Sequence, residues 1–200
     1  MGNFSFEQDY VLEDNVALLR PLIHEDIENL KSFARCEPSL WRFSLVSPAG
    51  EENMKAYIDA AVEARKQHRE YAFIVYDKRV QEYAGSTRFY DMQLSNQTLQ
   101  LGYTWYGERF QQTGLNKHCK YLLLQFAFEQ MGMERVEFRA DANNEKSIAA
   151  MKSIGCTVEG ILRSHMPTQT GGRRDSIVLS ILKSEWAATV KPALEKRIMP

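Results

Sequence analysis

Residues 99–132 read LQLGYTWYGERFQQTGLNKHCKYLLLQFAFEQMG, and the fold turns on this stretch. LQLGYTWY (Leu99 to Tyr106) has the aromatic and β-branched content of a strand. From Leu115 the apolar residues Leu115, Cys119, Leu122, Leu123 and Phe126 recur at i, i+4, i+7, i+8 and i+11, which makes one face of a helix. At the start of that helix stand Lys117, His118 and Lys120, and no acid. A helix N-terminus carries partial positive charge and normally attracts Asp or Glu. Its first N–H groups lack intrahelical partners, so the same spot suits an anion. Gly114 lets a ligand come close to the backbone. A bound phosphate explains the bases; a solvated turn explains them equally well from this junction alone. The signatures GxxxxGK[ST] and GxGxxG are both absent.

Outward from this junction the chain reads as alternating elements. Val16–Leu22 is a strand, and His24–Ala34 a short amphipathic helix with Ile27, Leu30 and Phe33 at helical spacing. Glu51–His68 is a helix led by acids and trailed by bases. Tyr71–Asp77, Tyr83–Met92 and Thr98–Tyr106 are strands, joined by loops of hairpin length. After the central helix come a strand at Arg135–Asp141, a helix at Asn143–Gly155, and strands at 157–166 and 175–182. A helical tail at 184–198 is interrupted near Pro192. The order β α α β β β α β α β β predicts a single α/β domain with a mixed sheet of about seven strands flanked by helices.

Bulk properties narrow the function classes. The 200 residues carry a net charge of −1, with 44% hydrophobic and 26% charged residues. No global basic field points to nucleic acid. No run of about 18 apolar residues points to a membrane span. MGNFSFEQDY does not read as a secretion signal, and Phe6 stands where a myristoylation signal needs Ser or Thr. The three scattered cysteines suit a reduced, cytoplasmic protein. Cys119 lies on the apolar stripe and reads as core. No His/Cys/Asp cluster has metal-ligand spacing, so no metal is expected.

Four segments together resemble the GNAT superfamily of acetyl-CoA-dependent N-acetyltransferases, most nearly the branch that acetylates ribosomal-protein N-termini. The likeness spans about Val16 to Trp186 within a single domain of residues 1–200. In RFQQTGLN, Arg109, Gln112 and Gly114 stand at the first, fourth and last positions of the family's [QR]-x-x-G-x-[GA] loop, with Gln112 replacing the first glycine. In NNEKSIAAMKSIGC, Asn144, Ser147, Ile154 and Gly155 match the family's second motif. VEGILRSHM and GGRRDSIVLSILKSEW complete the set.

The resemblance implies central strands that splay at a bulge, freeing backbone for the pantetheine arm of acetyl-CoA. It places Trp105 and Tyr106 on that arm, with Thr113, Gly114, Leu115, Asn116 and Lys117 around the diphosphate. Arg109 and Gln112 belong to the same loop, and Asn144 bonds the arm from the next strand end. It also implies direct attack of a primary amine on the thioester. Many relatives have a Tyr four residues after the serine to protonate sulfur; Met151 stands here, which leaves Ser147 as the candidate proton donor. His165 and Glu159 are candidate bases, with Glu108 or a water chain as alternatives. Trp41, Arg42, Arg88, Phe89 and Tyr90 are candidates for lining the acceptor side. The acceptor is a peptide N-terminus or a small-molecule amine, and a homodimer is compatible with the family. A non-catalytic acyl-CoA-binding or regulatory module is the alternative reading, and a nucleotide binder a third.

Overall fold

A computed structural model describes residues 4–169 and 171–198. The strands are β1 (Leu12–Glu13), β2 (Ala17–Pro21), β3 (Tyr71–Asp77), β4 (Glu82–Gln93), β5 (Thr98–Tyr106), β6 (Arg135–Asp141), β7 (Thr157–Pro167) and β8 (Arg173–Leu182). They form one eight-stranded sheet in the order β1-β2-β3-β4-β5-β6-β8-β7. The expected seven are present; the eighth is the two-residue edge strand β1, too short to leave a periodic signal. Helices α1 (Ile27–Cys36), α2 (Glu51–Lys66), α3 (Leu115–Gln125), α4 (Glu145–Ser153), the single turn α5 (Lys183–Glu185) and α6 (Lys191–Ile198) complete the fold. The tail expected to break near Pro192 instead runs helical from Lys183 to Ile198, with a π-helical turn at Trp186–Val190 just ahead of the proline.

All neighbouring pairs are antiparallel except β5 and β6, which run parallel. That pairing spans only Thr98–Gln100 against Arg135–Glu137. From Leu101 onward the two strands separate, so one edge of β5 has no ladder partner. The strands splay as the family likeness implied. α3 continues through a π-helical turn at Phe126–Gln130 and buries Leu115, Cys119, Leu123, Leu124 and Phe126. At about 25 cal/mol per Å² of apolar surface, such a face anchors the helix firmly to the sheet. Among the described residues no helix is long and apolar enough to cross a membrane.

Candidate active site

The site grows from a defect in β5. Ser86 pairs with Trp105 and Arg88 with Gly102, so Thr87 alone stands opposite both Tyr103 and Thr104. This is a β-bulge. Tyr103 takes φ of 49°, a left-handed value uncommon for an aromatic residue. Beyond the bulge, Gly85 permits the close approach of β5: a Cβ there would lie 2.0 Å from the Trp105 carbonyl oxygen. The bulge and the splay lie on the same strand, so residues 101–106 present backbone groups toward the gap beside β6.

The chain then turns through the loop to α3. The Gln111 amide donates to the Tyr106 carbonyl at 3.0 Å. Arg79 donates to the Thr113 carbonyl at 2.9 Å and is itself gripped by the buried Asp77 at 2.6 Å. Gln112 has φ of 61°, a value glycine adopts without strain, which accounts for glycine at this position of the family loop. Gly114 has φ of 90°, and nothing lies within 4 Å of where its Cβ would be. The N-terminus of α3 therefore opens onto free space. Asn116 Oδ1 is buried there without a hydrogen-bond partner among the described residues. An open cradle of helix N–H groups and the unpaired backbone of β5 fit an extended amide chain ending in a diphosphate.

The three bases of α3 separate in space. His118 Nδ1 lies 2.7 Å from Asp14 Oδ2. Burial raises the Asp14 carboxyl, but hydrogen bonds from Ala17, His118 and Val16 outweigh it and hold the pKa below the usual range. Lys120 is buried beneath the bulge, donating to Thr104 Oγ1 at 2.8 Å, with its ammonium 5.8 Å from the Phe138 ring centroid. Desolvation brings its pKa down to about 8. Of the three, only Lys117 has neither a side-chain hydrogen bond nor an ion pair among the described residues, so one base rather than three is left for the cradle. Arg109 pairs with Glu82 and lies over the Phe110 ring.

On the far side of the gap, Asn144 caps α4: its Oδ1 accepts from the Ser147 backbone N–H at 3.1 Å. The cap leaves the Ser147 hydroxyl in the first turn of α4, at the C-terminal end of β6. His165 Nδ1 lies 3.0 Å from Ser176 Oγ, and its Nε2 lies 3.4 Å from Arg139 Nη1. Arginine only donates, so Nε2 accepts and the proton sits on Nδ1. Desolvation and then Arg139, Arg174 and Arg173 lower the imidazole pKa. Its one lone pair is thus already engaged by a guanidinium. Glu159 is bound by both terminal nitrogens of Arg135 and accepts from Ser180 Oγ at 2.5 Å. The Arg135 hydrogen bonds, followed by Ser180, hold its pKa at about 2. That is the position of an ion-pair partner, not of a base.

The acceptor-side candidates divide by strand parity. Arg88 lies against Tyr57 of α2 and against Tyr103, and Tyr90 is edge-on to Tyr103 at 5.0 Å. Phe89 points the other way, fully buried against Phe73 and Phe126, so its expected place on the acceptor side is corrected to the core. Trp41 stacks edge-on against Trp105 at 4.8 Å, and both indole N–H groups lack partners among the described residues. Arg42 is exposed over Phe43. The sequence did not single out Tyr103, Thr104 or Arg79, and it read Lys120 as one of three bases at the helix start rather than as a buried group. No local signal marks a tyrosine for positive φ, but a lysine within the apolar face of α3 was readable as anomalous.

A bulged strand, a splayed parallel pair and a glycine-opened helix N-terminus define the acetyltransferase fold. The model of the acetyltransferase (GNAT) domain family matches residues 17–157, and the chain belongs to that family, whose members use acetyl-CoA. It is an N-acetyltransferase by family. Among relatives, the Bacillus subtilis (strain 168) protein named "Putative ribosomal N-acetyltransferase YdaF" is 26% identical over 175 residues, covering 86% of this chain and 92% of that one. A solved "putative acetyltransferase" of T. thermophilus is 30% identical, covers 99% of this chain and 100% of its own, and superposes with a TM-score of 0.85. Mycobacterium smegmatis RimJ, solved in complex with CoA-disulfide, shares the fold at a TM-score of 0.78 and 16% identity, over 94% of this chain and 93% of its own.

Proposed function

We propose that the protein transfers an acetyl group from acetyl-CoA to a primary amine, either a peptide N-terminus or a small-molecule amine. The observation that carries this reading is the continuous track from the unpaired edge of β5 to the open cradle at Gly114. In it, backbone of Trp105 and Tyr106 pairs with the pantetheine arm. The amides of Thr113, Gly114, Leu115 and Asn116, with the Lys117 ammonium, receive the diphosphate. Arg109 and Gln112 shape the loop, and Asn144 retains its Nδ2 as a donor toward the arm. The CoA-disulfide complex of RimJ and the ribosomal name of YdaF support this reading.

Acetyl-CoA supplies the activated acyl group. Backbone N–H groups at the bulge donate to the thioester carbonyl oxygen, where negative charge develops. The amine attacks in its neutral form from the face of α1 and α2. Ser147 donates a proton to the departing thiolate and regains one from the attacking nitrogen through water, so that an amide and the free CoA thiol leave. Neither His165 nor Glu159 serves as the base in this reading, because the lone pair of one and the charge of the other are already engaged.

A second reading, binding of acyl-CoA without turnover, is favoured by two observations. Gln112 holds a glycine-like conformation, and Met151, at the position of the relatives' acidic tyrosine, is buried in the core. Calorimetric titration with acetyl-CoA, followed by release of free thiol across an amine panel, separates the two. Binding with turnover supports the transferase; binding without turnover by any amine supports the second reading.

A further inference from the structure

Behind the bulge, between α2, β4, β5 and the segment leading into α2, lies a cavity of about 330 Å³. Arg88 forms part of its wall and is 5% exposed. Its guanidinium lies 4.8 Å from the Tyr57 ring centroid and 4.3 Å from that of Tyr103. Nη1 donates to Glu70 Oε2 at 2.6 Å. Nε and Nη2 have no hydrogen-bond partner among the described residues. These two atoms are the side-on fork of the guanidinium, whose parallel N–H bonds match the two oxygens of a carboxylate. Tyr57 Oη, which also lines the cavity, lies close enough to the guanidinium to interact with it but makes no hydrogen bond of good geometry. A buried fork left open is costly, since each orphaned donor forfeits its hydration. The charged residues lining the cavity are Arg69, Arg88 and Glu70, which leave one positive charge in excess.

Tyr103, in the wall of this cavity, is also the bulge residue, and Trp105 follows it two residues later on the same strand. The cavity therefore adjoins the place where the acceptor amine meets the acyl group. We propose that Arg88, through Nε and Nη2, recognises a carboxylate carried by the acceptor, so that the preferred substrate is an amine bearing an acidic group. This inference rests on the transferase reading above for the word acceptor, but not for the carboxylate site itself. The carboxylate belongs either to an acidic side chain near a peptide N-terminus or to a free amino acid.

The test uses matched pairs. One pair is a C-terminally amidated peptide Ser-Glu-Ala against Ser-Gln-Ala. The other is 4-aminobutanoate against 4-aminobutanamide. Each is measured for kcat/KM and, with CoA present, for calorimetric binding. The proposal expects the carboxylate member of at least one pair to be preferred about tenfold or more, the range of a charge-assisted hydrogen-bonded pair. The pair that responds identifies the source. Arg88→Met should bring that ratio to about one, Arg88→Lys to an intermediate value, and Tyr57→Phe should lower it several-fold while leaving the charge in place. If Arg88→Met does not fold, the other two variants decide. Equal use of both members by the parent protein overturns the proposal and leaves the transferase reading standing. A preference that survives in the Arg88 and Tyr57 variants overturns it as well. Arg88-dependent carboxylate binding without any turnover supports the site and removes the transferase reading.

Discussion

His118 Nδ1 lies 2.7 Å from Asp14 Oδ2, across 104 residues of sequence. The contact ties the first turns of α3 to the turn between β1 and β2. A base at a helix N-terminus, unfavourable by itself, is offset by a protein carboxylate rather than by a ligand. Asp14 also accepts from the backbone N–H groups of Val16 and Ala17, both at 2.8 Å. Asp14→Ala should therefore cost about 1–3 kcal/mol of stability, read by denaturant titration. The folded pKa of Asp14 is depressed. Its contribution is full above the unfolded carboxylate value of about 4 and fades as pH falls through the folded value. The difference in stability between parent and variant should accordingly shrink below pH ~4.

Gly114→Ala separates binding from folding. The left-handed φ costs an alanine about 1 kcal/mol, but its Cβ meets no protein atom. The expected result is a small fall in melting temperature with a larger loss of acetyl-CoA affinity by calorimetry. Gly114→Trp should abolish binding while circular dichroism still reports a folded sheet. Binding unchanged in both variants would remove the diphosphate from this cradle.

Ser147→Ala keeps the helix cap, because the capping bond uses the Ser147 backbone N–H. Its kcat should fall by about 10²-fold or more if the hydroxyl protonates the thiolate, with the acetyl-CoA dissociation constant unchanged. Asn144→Ala should instead lower stability by about 1 kcal/mol through loss of the cap. A kcat that survives Ser147→Ala would assign the proton to water.

Lys120 offers a pH signature. Its pKa is down at about 8 in the folded chain, against about 10.4 unfolded. Between these values the unfolded chain binds more protons, so this group makes stability rise with pH across that window. Lys120→Met removes the desolvation cost and should melt higher at pH 7. Its advantage over the parent should diminish from pH ~8 to ~10. Paired melts across that range give the answer, since other high-pH ionisations are common to both proteins.

The order of elements was legible because long periodic segments dominate it. The apolar stripe of α3 and the hairpin loops between β3, β4 and β5 needed no tertiary information. The cradle at Gly114 was legible from one glycine following a strand. Other parts depend on neighbours remote in sequence. His118 looked like a phosphate ligand because Asp14 is so distant along the chain. Phe89 was read with Arg88 and Tyr90, although the two-residue period of a strand places it on the opposite face. The bulge at Tyr103 is imposed by register against β4 and leaves no trace in composition.

The short contact between β5 and β6 has a mechanical meaning. Only residues 98–100 and 135–137 join the two halves of the sheet by a strand ladder. On the proposed function, an extended arm lying along residues 101–106 would act as a removable ninth strand. Binding along that edge should then extend the short seam and slow amide exchange on both sides of it.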